Sequence, residues 1–266
     1  MELHLTGKRA LVTGSSSGLG EAIARMLAKE GAAVVVHGRN EKRVNDIAEA
    51  IRADGGHAAI AIGDLTTDDG ADIVASTALA EGPIDILVNN AGVYDHLSWA
   101  EATTTLWAQI YNTNVISGVR MIQRLLPQMR ERHWGRVIHI GGGLSMQPMA
   151  VQPHYSATLA ARHNLAVSLA RELKDTGITS NVVAPGAILV GEVQALLTRL
   201  APSNGWGETW EEIERGAAQD LVPNDVGRLG RPAEIAAAVA YLASPLADYV
   251  SGATIRVDGG TIRSVI

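Results

Sequence analysis

The most readable chemistry in this chain comes from three glycines near the amino terminus. In the run ALVTGSSSGLGEAIARMLAKEGA, Gly14, Gly18 and Gly20, with Leu19 between the last two, separate a short apolar stretch from an amphipathic one. Gly14 can turn the backbone sharply after a strand. Gly18 lets a ligand approach the main chain, and Gly20 lets a helix pack closely on a sheet. The helix that follows presents free N–H groups and the positive end of its dipole, which suits phosphate oxygens. Ser15, Ser16 and Ser17 read as further hydroxyl donors. The pattern therefore points to the pyrophosphate of a dinucleotide, in the spacing GxxxGxG rather than GxGxxG.

Other chemistries lack their residues. The chain has no cysteine, which removes disulfides, thiolate nucleophiles and Cys-ligated metals. Its eight histidines include no HxxxH or HxH pair, so no metal site is expected. A net charge of −6 with no basic run argues against a nucleic-acid partner. No apolar run of about 20 residues is present to span a membrane, and the start MELHLTGKRA lacks a signal peptide's apolar core. A cytoplasmic location and a small-molecule substrate are expected.

The elements that must hold the glycine turn follow from periodicity. Val- and Ile-rich runs at Arg9–Thr13, Ala33–His37, Ala58–Ile62, Ile84–Asn89, Arg136–Ile140, Thr179–Ala184 and Thr254–Val257 read as strands buried on both faces. Helical patterns fall between them at Gly18–Glu30, Glu41–Ala53, Asp68–Ala80, Thr104–Arg130, His154–Thr176 and Pro232–Ala243. Strict alternation predicts a doubly wound α/β fold of the Rossmann type, with seven parallel strands and helices on both faces. No linker or repeat divides residues 1–266, so one domain is expected. The stretch Val190–Gly227 breaks the rhythm, and loops this long in a compact domain are usually functional. A substrate lid is the expected role.

Further motifs stand in order along these elements, and with them the chain resembles the short-chain dehydrogenase/reductase family. TGSSSGLG is similar to the family's cofactor motif, and NNAG (Asn89, Asn90, Ala91, Gly92) closes the fourth strand. Asp64–Leu65 matches the acidic-aliphatic pair that meets the adenine, and Asn114 in YNTNVISG matches an active-site asparagine. Pro185–Gly186, with Ile188 just beyond, matches the segment that holds the nicotinamide end. The resemblance implies an oxidoreductase that uses a nicotinamide dinucleotide, commonly as a homodimer or homotetramer. At the end of the second strand, VVVHGRN carries His37, Gly38 and Arg39 where NAD-preferring members place a carboxylate. Arg39 can pair with a 2′-phosphate. NADP(H) is thus favoured over NAD(H); the ordinary alternative for Arg39 is a solvated loop residue.

The resemblance also sets expectations for catalysis. Tyr155 matches the family's proton-donating tyrosine, and Asn114 would help hold a relay water. The helpers of that tyrosine are altered: the lysine position four residues on is Leu159, and the serine position thirteen residues upstream is Gly142. The chain's four lysines are Lys8, Lys29, Lys42 and Lys174, so no shift of alignment recovers one. Ser145 stands in for the serine only if its loop reshapes. Arg162, on roughly the same helix face as Tyr155, together with His139, His154 and His163, could replace the cation, although packing or surface roles are the ordinary expectation for each. A lone tyrosine near pKa 10 is about 0.1 % ionised at pH 7, which handicaps alcohol oxidation more than carbonyl reduction. The expected function is NADP(H)-dependent reduction of a carbonyl in a medium-sized, partly apolar substrate. The alternatives are a fold turned to a non-redox reaction and one that binds a cofactor without catalysis.

Overall fold

The computed structural model describes residues 2–264. Seven strands form one parallel sheet: β1 (Arg9–Val12), β2 (Ala33–Gly38), β3 (His57–Ile62), β4 (Ile86–Asn89), β5 (Gly135–Ile140), β6 (Ile178–Pro185) and β7 (Thr254–Val257). Their order is β3-β2-β1-β4-β5-β6-β7. The order reverses between β1 and β4, and a crevice opens at the carboxyl ends of strands at such a switch point. All seven strands predicted from the sequence are present, with bounds shifted by two residues or fewer.

Both faces of the sheet are covered. Helices α1 (Gly18–Lys29) and α2 (Glu41–Ala53) pack on one face with the last long helix, Pro232–Ala243. Helix α3 (Asp68–Leu79) covers the other face together with the segments 117–131 and 153–172. With no phenylalanine in the chain, both layers are built from Val, Ile, Leu and Ala, with Met121 and Met129 on the second face. Small β-branched side chains suit strands buried on both sides.

Two elements differ from the periodicity reading. The single helix predicted over Thr104–Arg130 is α4 (Thr104–Tyr111) and α5 (Ser117–Glu131), joined by a π-helical turn at Asn112–Ile116. Asn, Thr and Val in that turn are weak helix formers, and the Asn114 side chain is drawn onto the Val93 backbone, so the extra residue is accommodated there. The helix predicted from His154 to Thr176 begins one residue earlier and stops sooner, as α6 (Pro153–Glu172).

The long excursion is ordered into α7 (Gly191–Asn204) and α8 (Trp210–Asp220), ahead of α9 (Pro232–Ala243). Leu197, Ala201, Trp206, Ile213, Ala217 and Leu229 give it a small core of its own. Glu214 accepts from the Leu229 N–H and pairs with Arg231, which ties α8 to the start of α9.

Candidate active site

The glycine turn between β1 and α1 is close-packed. A Cβ on Gly20 would lie 2.3 Å from the Gly14 carbonyl oxygen, and one on Gly14 would lie 2.9 Å from the Ala91 Cα. Gly14 and Gly18 both have positive φ, 64° and 56°. Ser17 stands at the N-cap of α1 and makes no side-chain capping bond, which leaves the helix amino terminus for another acceptor. Gly20→Ala is therefore expected to destabilise the fold by roughly 1–3 kcal/mol, the usual cost of overpacking. Thermal melting of the variant checks this.

Neighbouring strands brace the turn. Thr13 Oγ1 donates to the Val88 carbonyl and accepts from the N–H groups of Asn90 and Ala91. The Asn90 amide donates to the Thr13 and Gly14 carbonyls. Ser15 differs from its sequence reading. It is fully buried, donates to the Val12 carbonyl and accepts from the His37 N–H, so its hydroxyl serves the fold and not a phosphate. Ser16 lies against Gly38, where an added Cβ would come within 2.8 Å of its Oγ, and Ser17 is exposed.

His37 is a brace that the sequence reading named without assigning it a part. Its Nδ1 accepts from the Gly14 N–H at 3.0 Å, so Nε2 carries the proton and donates to the Gly63 carbonyl at 3.2 Å. Burial pushes its pKa down to about 4, and burial with the charge of Arg162 pushes that of His139 down to about 3. Both imidazoles are neutral in the fold, whereas in the unfolded chain they take up a proton below about pH 6.5. The unfolded state then binds more protons, so stability present above pH 6.5 is lost as pH falls towards 4. His37 alone accounts for about 3 kcal/mol of that loss. Melting temperature should drop steadily from pH 7 to pH 5, and a His37→Asn variant should show a shallower slope.

Around the turn lie the other expected contacts. Arg39 is exposed just after β2. Asp64 accepts from the Thr66 backbone and hydroxyl, which together with Arg39 holds its carboxyl below the usual range, and Leu65 is buried beside it. Gly92 packs under Asn114 and Arg162. Pro185 ends β6, the Gly186 N–H donates to Val257, and Ile188 bridges to Gly230. Val190, at the entry of α7, stands 3.7 Å from where a Gly18 Cβ would be, so the excursion begins directly over the glycine turn.

Tyr155 sits in the first turn of α6, half-buried, with the Tyr94 ring 6.2 Å away. Burial raises its pKa, and the charge of Arg162 acts in the opposite direction. The Tyr94 hydroxyl donates to Glu192 of α7, which links the loop after β4 to the excursion. Asn114 uses its side chain on the Val93 N–H, the Val93 carbonyl and Thr158 Oγ1, while its own carbonyl accepts from Arg162 Nε. The Ser145 hydroxyl donates to the Gly142 carbonyl at 2.7 Å and lies 3.1 Å from His163 Nε2. Leu159 is buried, and a Cβ added to Gly142 would meet its Cδ1 at 2.9 Å. Among the described residues no cluster of His, Asp and Glu could hold a metal ion, and no helix is long and apolar enough to cross a membrane.

The short chain dehydrogenase family pattern matches residues 8–199. The chain is 39 % identical to the uncharacterized oxidoreductase YvaG of Bacillus subtilis, over the full length of both. It is 36 % identical to a 3-oxoacyl-(acyl-carrier-protein) reductase of Vibrio harveyi, covering 97 % of this chain and 98 % of that protein. L-sorbose reductase from Gluconobacter frateurii, solved with NADPH and L-sorbose, superposes with a TM-score of 0.93 at 32 % identity across the whole of both chains. The protein belongs to the short-chain dehydrogenase family of oxidoreductases. A NAD(P) cofactor fits the residues present: side chains are excluded at Gly14 and Gly20, and the amino terminus of α1 lies open to phosphate.

Proposed function

We propose that this protein is an NADP(H)-dependent oxidoreductase that reduces the carbonyl of a medium-sized, partly apolar substrate, with Tyr155 as the proton donor. The observation that carries the reading is the Tyr155 phenol, half-buried with its ring beside that of Tyr94, on the helix that the Asn114 amide reaches through Thr158. Gly14, Ser16, Ser17, Gly18, Leu19 and Gly20 would hold the pyrophosphate, Asp64 and Leu65 the adenine, and Arg39 a 2′-phosphate. Asn90, Ala91, Gly92, Pro185, Gly186 and Ile188 would line the path to the nicotinamide. When bound, the reduced cofactor supplies the hydride. Tyr155 then donates its phenolic proton to the carbonyl oxygen as negative charge develops there. Burial keeps the phenol neutral at ordinary pH, the form that reduction requires.

The family's lysine and serine positions hold Leu159 and Gly142, so Tyr155 works without them. Asn114 and Ser145 contribute by holding the backbone around it. The loops that flank Tyr155 expose Val93, Tyr94, Met149 and Val151, which supports a partly apolar substrate, and α7 with α8 would close over it as a lid. The protein is read as a cytoplasmic homodimer or homotetramer, a state that light scattering on the purified protein would determine.

The experiment is a panel of ketones, aldehydes and keto sugars with NADPH, followed by cofactor absorbance. Turnover supports the reading. Cofactor binding without hydride transfer across the panel would overturn it in favour of a second reading, in which the fold binds a dinucleotide for a non-redox or sensing role. The apolar packing of Leu159 on Gly142 favours that second reading.

A further inference from the structure

Arg162 is a buried cation that lacks an acidic partner. Its side chain is 6 % exposed, and among the described residues no carboxylate lies within ion-pair distance of it. The buried Arg136 and the half-buried Arg231, by contrast, pair with Asp248 and Glu214. Taking an unpaired guanidinium out of water is costly, and burial pushes its pKa down to about 10. A charge kept at that cost needs compensation from its surroundings.

Three backbone carbonyls supply part of it. Nε donates to Asn114, Nη1 to Ile140 at 2.7 Å, and Nη2 to Ala91. These acceptors lie in the π turn, at the end of β5 and just past β4. The planar fork of arginine can serve three fixed acceptors at once, which a lysine cannot match in geometry.

The charge also bears on Tyr155, where it opposes the effect of burial on the phenol. Seven residues along a helix span about 10 Å, but helical side chains lean towards the amino terminus. Asn114, whose carbonyl accepts from Arg162, places its own amide on Thr158 Oγ1 at 3.1 Å, and that hydroxyl donates to the Tyr155 carbonyl at 2.8 Å. Arg162 and Tyr155 are thus linked through Asn114 and Thr158. Leu159 against Gly142 adds an apolar wall, and charges act further where water is excluded. The titratable groups around this pair are Tyr94, with Glu192 on its hydroxyl, and the imidazoles of His139 and His163, which burial holds towards the neutral form.

We propose that Arg162 supplies the fixed positive charge of this site, holding the Ala91, Asn114 and Ile140 carbonyls in place and favouring the anionic form of the Tyr155 phenol. It is a positioning and electrostatic residue on Tyr155, and the inference rests on the reading of Tyr155 as the proton donor.

The test is an ultraviolet tyrosinate titration of the purified protein without cofactor, with Tyr155→Phe subtracted to isolate Tyr155 from the other four tyrosines. In Arg162→Met, or in Arg162→Gln, which keeps one donor for the carbonyls, the Tyr155 midpoint should rise by about 1 pH unit or more. Arg162→Lys should hold the midpoint near its original value. Arg162→Met/Leu159→Lys should bring it back down, because a cation returns one turn from the phenol. An unmoved midpoint in a folded uncharged variant, or no recovery in the double variant, overturns the proposal and leaves Arg162 with a packing role. The titration needs no turnover. A protein whose midpoint follows Arg162 yet reduces no carbonyl would refute the reductase reading alone.

Discussion

Tyr155→Phe is expected to lower kcat/KM for carbonyl reduction by about 10²–10⁴-fold, the usual worth of a positioned general acid. The dissociation constant for NADPH should stay within about 3-fold, because the phosphate contacts proposed at the glycine turn do not involve this hydroxyl. The substitution removes one oxygen from a half-buried ring that packs beside Tyr94, so the helix and the ring contact should survive. The loss should therefore appear in kcat more than in binding. Steady-state kinetics with NADPH, alongside a fluorescence binding titration, measures both quantities. Equal turnover by Tyr155→Phe would mean that another group supplies the proton, and Tyr155 would lose its assigned part.

Arg39→Glu should raise the NADPH dissociation constant by roughly 10–100-fold while changing that for NADH far less. A charge-assisted hydrogen bond contributes about 1.5–3 kcal/mol, and 1.4 kcal/mol corresponds to a tenfold change in affinity. The proposal puts Arg39 at such a contact. It is exposed immediately after β2, and its charge already lowers the pKa of Asp64. The carboxylate of the variant would repel a 2′-phosphate and could accept from a 2′-hydroxyl instead. Because Arg39 faces water, the proposed preference for NADPH should weaken as salt is raised. Paired titrations at two ionic strengths check both effects, and equal affinity for the two cofactors in the parent would remove Arg39 from the 2′-phosphate site.

The architecture was legible in the sequence because its signals are local. Seven Val- and Ile-rich runs, each followed by a turn or an amphipathic stretch, state a parallel sheet without reference to anything distant. The glycine turn was legible for the same reason: the positive φ of Gly14 and Gly18 and the close approach at Gly20 leave glycine as the residue that fits each position. The π turn at Asn112–Ile116 was not legible, since one extra residue in a helical run barely disturbs its periodicity. Ser15 was misread because the TGSSSG run does not say which hydroxyl turns inward, and the direction is set by β2 through the His37 N–H.

By itself, then, the sequence determined the parallel sheet and the glycine turn, and it suggested Tyr155 as the proton donor with Leu159 and Gly142 at the helper positions. Tertiary structure decided what surrounds that tyrosine. Arg162 meets carbonyls 71, 48 and 22 residues away, His37 reaches back to Gly14 across 23 residues, and Leu159 finds Gly142 from a different element. Periodicity reports which face of an element is buried. The partner of a buried charge depends on which chain ends the fold brings together, and no local pattern records that.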